Sequence, residues 1–114
     1  MAKDLERLYV AVCLPYKPGT TDIDQAGLRE FLRYFMQPKF VDAGGGIVIN
    51  PEAGEVFYLS REEKRRNVEI AMEECGGKVP VFAGVIAPTT KDTVQDARDA
   101  KAAGADGVFL IPPM

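Results

Sequence analysis

Residues 42–49, DAGGGIVI, are echoed in outline at residues 102–110, AAGADGVFL. In each, alanine and glycine close a helix-like segment, and a short apolar run follows. Glycine is the common residue just past a helix C-terminus. A short apolar run bounded by turn residues reads as a buried strand. Each stretch is therefore a helix stop, a turn and a strand. A chain that repeats this unit is built from βα modules around a parallel sheet.

The rest of the chain fits the same unit. LYVAVCLPY, residues 8–16, is apolar and β-prone and predicts a fully buried first strand that ends at Pro15. KPGTTDID is a loop, with Asp22 or Asp24 as the helix N-cap. Leu28, Phe31, Leu32 and Phe35 recur at helical spacing and predict a helix from Gln25 to Gln37, ended by Pro38. After GGGIVIN, Ser60 and Glu63 make a capping box for a helix through Val68, Ile70, Ala71 and Met72 that stops at Gly76 and Gly77. VPVFAGV is a third strand. PTTKDTVQDARDAKAAG is a third helix, capped by Thr89 or Thr90 and stopped by Gly104, and GVFLIPP is a fourth strand.

The order β-α-β-α-β-α-β suits either an open doubly wound sheet or an α/β (β/α)8 TIM barrel. No G-x-G-x-x-G follows the first strand, which weakens dinucleotide binding. A barrel needs about 250 residues, and an open parallel edge is not left bare. Residues 1–114 are accordingly expected to be the N-terminal part of a single (β/α)8 domain, about its first half, or a half-barrel that must pair.

Composition narrows the function classes. Hydrophobic residues make up 46%, enough for a real core, and the net charge of −3 offers no basic footprint for nucleic acid or anionic membrane. Lys64, Arg65 and Arg66 follow Glu62 and Glu63 and read as a solvated helix face. No apolar run approaches the ~18 residues that would cross a bilayer. The N-terminal MAKDLERL has no signal-peptide core, so a cytoplasmic location is expected. Cys13, in an apolar run, is expected to be a buried thiol, and Cys75 sits near a helix end. Neither a disulfide framework nor a zinc site is indicated. The absence of histidine excludes His-based triads and His-ligated metals within these residues. A carboxylate-only Mg²⁺ site stays open, though no clustered motif announces one.

Taken together, AVCLPY, DIDQAGLREFLRYFM, GIVINPEAGEVFYLSREEKRRNVEIAME, VPVFAGV and AKAAGADGVFLIPP resemble the N-terminal half of the dihydrodipicolinate synthase and N-acetylneuraminate lyase family. The Gly54-Glu55 loop with Leu59, Ser60 and Glu63 downstream is the more specific element, and each strand motif alone is weak. The resemblance implies class I aldolase chemistry on a barrel. A lysine amine condenses with the ketone of pyruvate or another 2-oxo acid, and the iminium acts as an electron sink while a C–C bond is made or broken. A tyrosine relays protons. No cofactor or metal is implied. The partner is a small-molecule 2-oxo acid, and the assembly a homo-oligomer.

Barrel active sites lie at the C-terminal ends of the strands. The candidate substrate-binding residues are therefore Asn50, Glu52, Ala53 and Gly54 in the loop after the second strand, with Tyr16 at the end of the first. Small residues let backbone N–H groups approach an anion, so Ala53 and Gly54 are the expected donors. For Tyr16 two readings stand, a pocket residue or core packing at the barrel mouth. Gly54-Glu55 is equally a glycine turn with an acid at a helix start. Tyr58 is expected at a surface or interface.

The chain also departs from the family pattern. The family loop reads Gly-Thr/Ser-Thr-Gly-Glu, whereas here Pro51, Glu52 and Ala53 precede Gly54-Glu55. Lost hydroxyls weaken carboxylate binding, and Glu52 would repel a carboxylate. Either Glu52 points away, or the substrate differs from plain pyruvate and carries a hydroxyl or a cation. The family's fourth strand continues as Pro-Tyr-Tyr. Aligning Gly107 and Pro113 places Met114 at the first tyrosine and the catalytic one beyond the chain; a register shifted by one would put Met114 in its place. The lysine belongs to a sixth strand, so no catalytic residue is expected within these residues. A non-catalytic half-barrel that folds by oligomerising, and a (β/α)8 enzyme of other chemistry, are the alternatives.

Overall fold

The structure is a computed structural model and describes residues 4–112. Met114 and Pro113, on which the tyrosine alignment turns, lie outside the described residues. The elements run β1 (Leu8–Ala11), α1 (Gln25–Phe35), α2 (Pro38–Asp42), β2 (Gly45–Ile49), α3 (Arg61–Cys75), β3 (Val81–Val85), α4 (Thr90–Ala102) and β4 (Gly107–Leu110). Two 3₁₀ turns, Glu52–Gly54 and Val56–Tyr58, fill the loop between β2 and α3.

All strand pairs are parallel, and their order is β1-β2-β3-β4. That order decides between the two expected architectures. A doubly wound sheet reverses strand order at a switch point and places helices on both faces. Here each crossover steps the same way, and right-handed crossovers that step one way put every helix on one face. Val10, Val12, Ile47, Ile49, Val81 and Ala83 meet Leu28, Leu32, Val68, Ile70, Ala71, Cys75 and Ala100 in one core. Side chains alternate along a strand, so Tyr9, Ala11, Gly46, Val48, Phe82 and Gly84 face the other way. On that face the Tyr9 and Phe82 rings lie 5.1 Å apart. Tyr9 also covers Gly46, where an added Cβ would meet its ring at 2.5 Å. This is the large-against-small layering of a barrel interior.

Local signals explain the helices. Asp24 caps α1 by accepting from the Gly27 N–H, Ser60 and Glu63 complete the capping box of α3, and Thr89 caps α4. The echo of the two glycine turns also holds: Gly44 (φ 85°) precedes β2 and Gly104 (φ 98°) precedes β4, each in the left-handed region that glycine takes without strain. Ion pairs tie the helices side by side. Glu74 receives Arg29 and Arg33, whose guanidinium hydrogen bonds hold its carboxyl below the usual range. Arg61 pairs with Asp99 at 2.7 Å and Lys64 with Asp96 at 2.5 Å.

Three expectations are corrected. The first strand is shorter than residues 8–16 and is not fully buried, because β1 is an edge strand whose inner face is open. Pro38 does not simply end a helix. The first helix ends at Phe35, and Pro38 is the first residue of α2, where its missing N–H costs no hydrogen bond. The fourth strand is mostly exposed rather than buried, with Phe109 at 48% and Leu110 at 56%.

Candidate functional site

The loops that leave the C-terminal strand ends share one end of the sheet. After β1 the chain folds back on itself: Tyr16 bridges Ile23, Lys17 N–H donates to Asp22 O, and Asp24 N–H donates to Pro15 O. This small hairpin carries the Tyr16 phenol across to the next loop, where its hydroxyl donates to Glu55 Oε2 at 2.9 Å. Burial, and then the hydrogen bond to Glu55, push the Tyr16 hydroxyl above its ordinary range. The phenol therefore stays protonated as a donor.

The loop after β2 is held at both ends. Asn50 (φ 57°) and Glu55 (φ 60°) both adopt the left-handed conformation that non-glycine residues enter at a cost. Asn50 is 4% exposed. Its Nδ2 donates to the Lys64 carbonyl at 2.9 Å, and its Oδ1 accepts from Asn67 Nδ2 at 3.0 Å. Its side-chain amide is thus engaged with α3, while its backbone carbonyl rests on Gly84, where an added Cβ would come within 1.9 Å. At the other end, Glu55 is tied to Tyr16 and Val56 is buried in the fold.

Between these ties lie Glu52 and Ala53, both exposed. Gly54 is buried, and its N–H donates to Pro51 O at 2.9 Å within the 3₁₀ turn. Of the two expected donors, then, Gly54 has spent its N–H on the turn. The N–H groups of Glu52 and Ala53 carry no hydrogen bond among the described residues. The glycine is required for another reason: an added Cβ would meet Val12 O at 2.9 Å. Here the loop packs against the end of β1.

The five predicted residues do not converge on one pocket. Tyr16 lines an acidic cleft with Asp22, Glu55, Tyr58 and Glu63. Asn50 lines a separate small cavity with Lys64, Asp96 and Gly84. Tyr58 is 82% exposed, as expected of a surface residue. Cys13, expected to be buried, is exposed. It follows Tyr9 and Ala11 at strand alternation and so falls on the open face. Cys75 is buried, and burial pushes its thiol up to about 11. Among the described residues no group of three or more His, Cys, Asp or Glu is placed to hold a metal.

Sequence reasoning missed Asn67 and the Tyr16–Glu55 tie. Asn67 did carry a signal: it stands three and four residues before Ile70 and Ala71, on the buried stripe of α3, where an apolar residue is the rule.

Comparison with known proteins fits this arrangement. The chain is 33% identical over 109 residues to the 4-hydroxy-tetrahydrodipicolinate synthase of Protochlamydia amoebophila, covering 96% of this chain and 35% of that one. To its counterpart in Methylobacterium radiotolerans it is 34% identical, covering 90% and 32%. Among solved structures, dihydrodipicolinate synthase from Aquifex aeolicus superimposes with a TM-score of 0.80 at 30% identity, covering 94% of this chain and 34% of that one. CdNal from Clostridium difficile, solved with mannosamine, gives 0.84 at 25% identity, covering 98% and 37%. The chain thus spans about a third of the length of the relatives it matches. Its four parallel strands and their helices are the corresponding part of a (β/α)8 barrel. The profile of one family matches residues 4–114, and the chain belongs to that family, the dihydrodipicolinate synthetase family.

Proposed function

We propose that the complete protein is a lyase or synthase that makes or breaks a C–C or C–O bond beside a 2-oxo acid, pyruvate or a relative of it, through a lysine Schiff base. The observation that carries this reading is the match to one enzyme family along residues 4–114. The lysine amine adds to the ketone and water leaves. The resulting iminium then takes up the electron pair released at the neighbouring carbon. The lysine and the proton-relaying tyrosine lie outside these 114 residues. In support, Lys17, Lys39, Lys64, Lys78, Lys91 and Lys101 stand on helices or loops, and among the described residues no lysine stands on a strand.

This chain contributes one wall of the site. Glu52 and Ala53 offer free backbone N–H groups at the C-terminal end of β2, a position suited to a substrate carboxylate. Asn50, Gly54 and Tyr16 shape that wall. Residues 1–114 form the N-terminal part of one barrel domain, in a cytoplasmic homo-oligomer that needs no cofactor. No described helix is long and apolar enough to cross a membrane.

Borohydride reduction of the complete protein with pyruvate should leave a lysine adduct of the corresponding mass. No adduct across a panel of 2-oxo acids would remove this reading. A second reading, a non-catalytic half-barrel that pairs with another copy, is favoured by the open edges at Leu8 (81% exposed) and Leu110. Light scattering of the 114-residue chain separates the two, since a well-folded monomer excludes the pairing.

A further inference from the structure

We propose that Asn67 is a positioning residue, acting through Asn50 to hold the loop from Pro51 to Glu55 in the one conformation that presents the Glu52 and Ala53 N–H groups. The inference rests on the reading of that loop as a substrate wall. Asn67 is 1% exposed and lies on the apolar face of α3. Its Nδ2 donates to Asn50 Oδ1 at 3.0 Å, while its own Oδ1 is buried with no partner among the described residues. For packing alone this is a poor choice. A buried polar atom without a partner is destabilising, and an apolar residue of similar size would fill the core without it. What the amide provides and a leucine cannot is the hydrogen bond to Asn50.

Asn50 needs that bond. It sits in the left-handed region at φ 57°, and its side chain is the first tie of the loop, since Pro51 has no N–H to offer. With both amide ends engaged, by Lys64 O and Asn67 Nδ2, the turn into the loop is fixed in direction. The stability lost at Asn67 Oδ1 is exchanged for a preorganised loop, as at other sites where strain serves function.

The test uses Asn67→Leu, Asn50→Gly and the double variant of the complete protein. Glycine keeps the backbone conformation of Asn50 and removes only its tether. In each single variant, the KM for the best 2-oxo acid should rise about tenfold while kcat changes by less than about twofold, the pattern of lost uniform binding. Amide exchange at Gly54 and Glu55, whose N–H groups close the turn on Pro51 O and Glu52 O, should quicken together with KM. The double variant should be no worse than either single one, because the two residues act as one unit. Its thermal midpoint should fall no further than that of Asn50→Gly alone, because Asn67→Leu then removes a buried amide whose partner has already gone. A purely structural role predicts the reverse, a lowered midpoint with KM and exchange unmoved, and that result overturns the proposal, as do additive KM shifts. If no 2-oxo acid forms an adduct, faster exchange alone leaves the tether standing and removes only the substrate reading of the loop.

Discussion

Replacing Gly84 by alanine is expected to destabilise the complete protein by about 3 kcal/mol, the upper end of overpacking costs. Gly84 is buried in β3, and its missing side chain is filled by backbone. An added Cβ would stand 1.9 Å from Asn50 O and 2.7 Å from Asn50 C. A flexible side chain could swing away from such a contact, but a carbonyl at the end of a paired strand cannot. Either β2 and β3 separate or the Asn50 turn is displaced, and the second breaks the hydrogen bonds to Lys64 and Asn67. Urea unfolding should show a lower midpoint at an unchanged slope. A useful contrast is Gly77→Asn. Gly77 has the opposite demand: its φ of 80° is left-handed, but nothing lies within 4 Å of an added Cβ. Asparagine tolerates the left-handed region, so this change should cost about 1 kcal/mol or less. Equal losses at the two positions would show that close approach does not set Gly84 apart, and would sink the account of the β2–β3 contact.

Much of this architecture was legible because its signals are local. The Asp24 cap, the Ser60–Glu63 box and the glycine turns at Gly44 and Gly104 are each settled by residues within a few positions of one another. The errors arose where the deciding partner is distant. Pro38 carries the same backbone restriction whether it stops one helix or starts the next, and only the path of the chain after Gln37 tells which. An apolar run such as LYVAVCLPY fits a strand buried on both faces, and equally one whose second face waits for the far side of a barrel. Cys13 falls on that second face and is therefore exposed. The choice between barrel and doubly wound sheet rests on strand order, which pairing alone reveals. At the candidate site, the Gly54-Glu55 pattern singles out the loop after β2. Which N–H groups are free depends on the 3₁₀ turn that closes on Pro51 O, and an isolated pentapeptide motif does not reveal that turn.

The double variant Glu52→Thr with Ala53→Thr is expected to lower the pyruvate KM of the complete protein about tenfold or more, since one hydrogen bond to a charged group contributes about 1.5–3 kcal/mol. Both positions are exposed in the turn that follows β2, so the new hydroxyls displace no packing. Two effects act in the same direction. Each hydroxyl can add a donor beside the free N–H groups of the turn, and removal of the Glu52 carboxylate ends its repulsion of a substrate carboxylate. Glu52→Gln separates the two, because it removes the charge and adds no hydroxyl. If repulsion dominates, the Gln variant recovers most of the gain and its effect shrinks as salt rises. If hydroxyl donors dominate, it recovers little. The same substitutions also test why the loop carries an acid. A substrate with a hydroxyl or ammonium group near this wall would use Glu52 as an acceptor, so Glu52→Gln should raise the KM for that substrate while lowering it for pyruvate. A pyruvate KM that stays level or rises in the double variant would mean that Glu52 and Ala53 stand away from the carboxylate. The preference for one 2-oxo acid over another would then have to come from residues outside these 114.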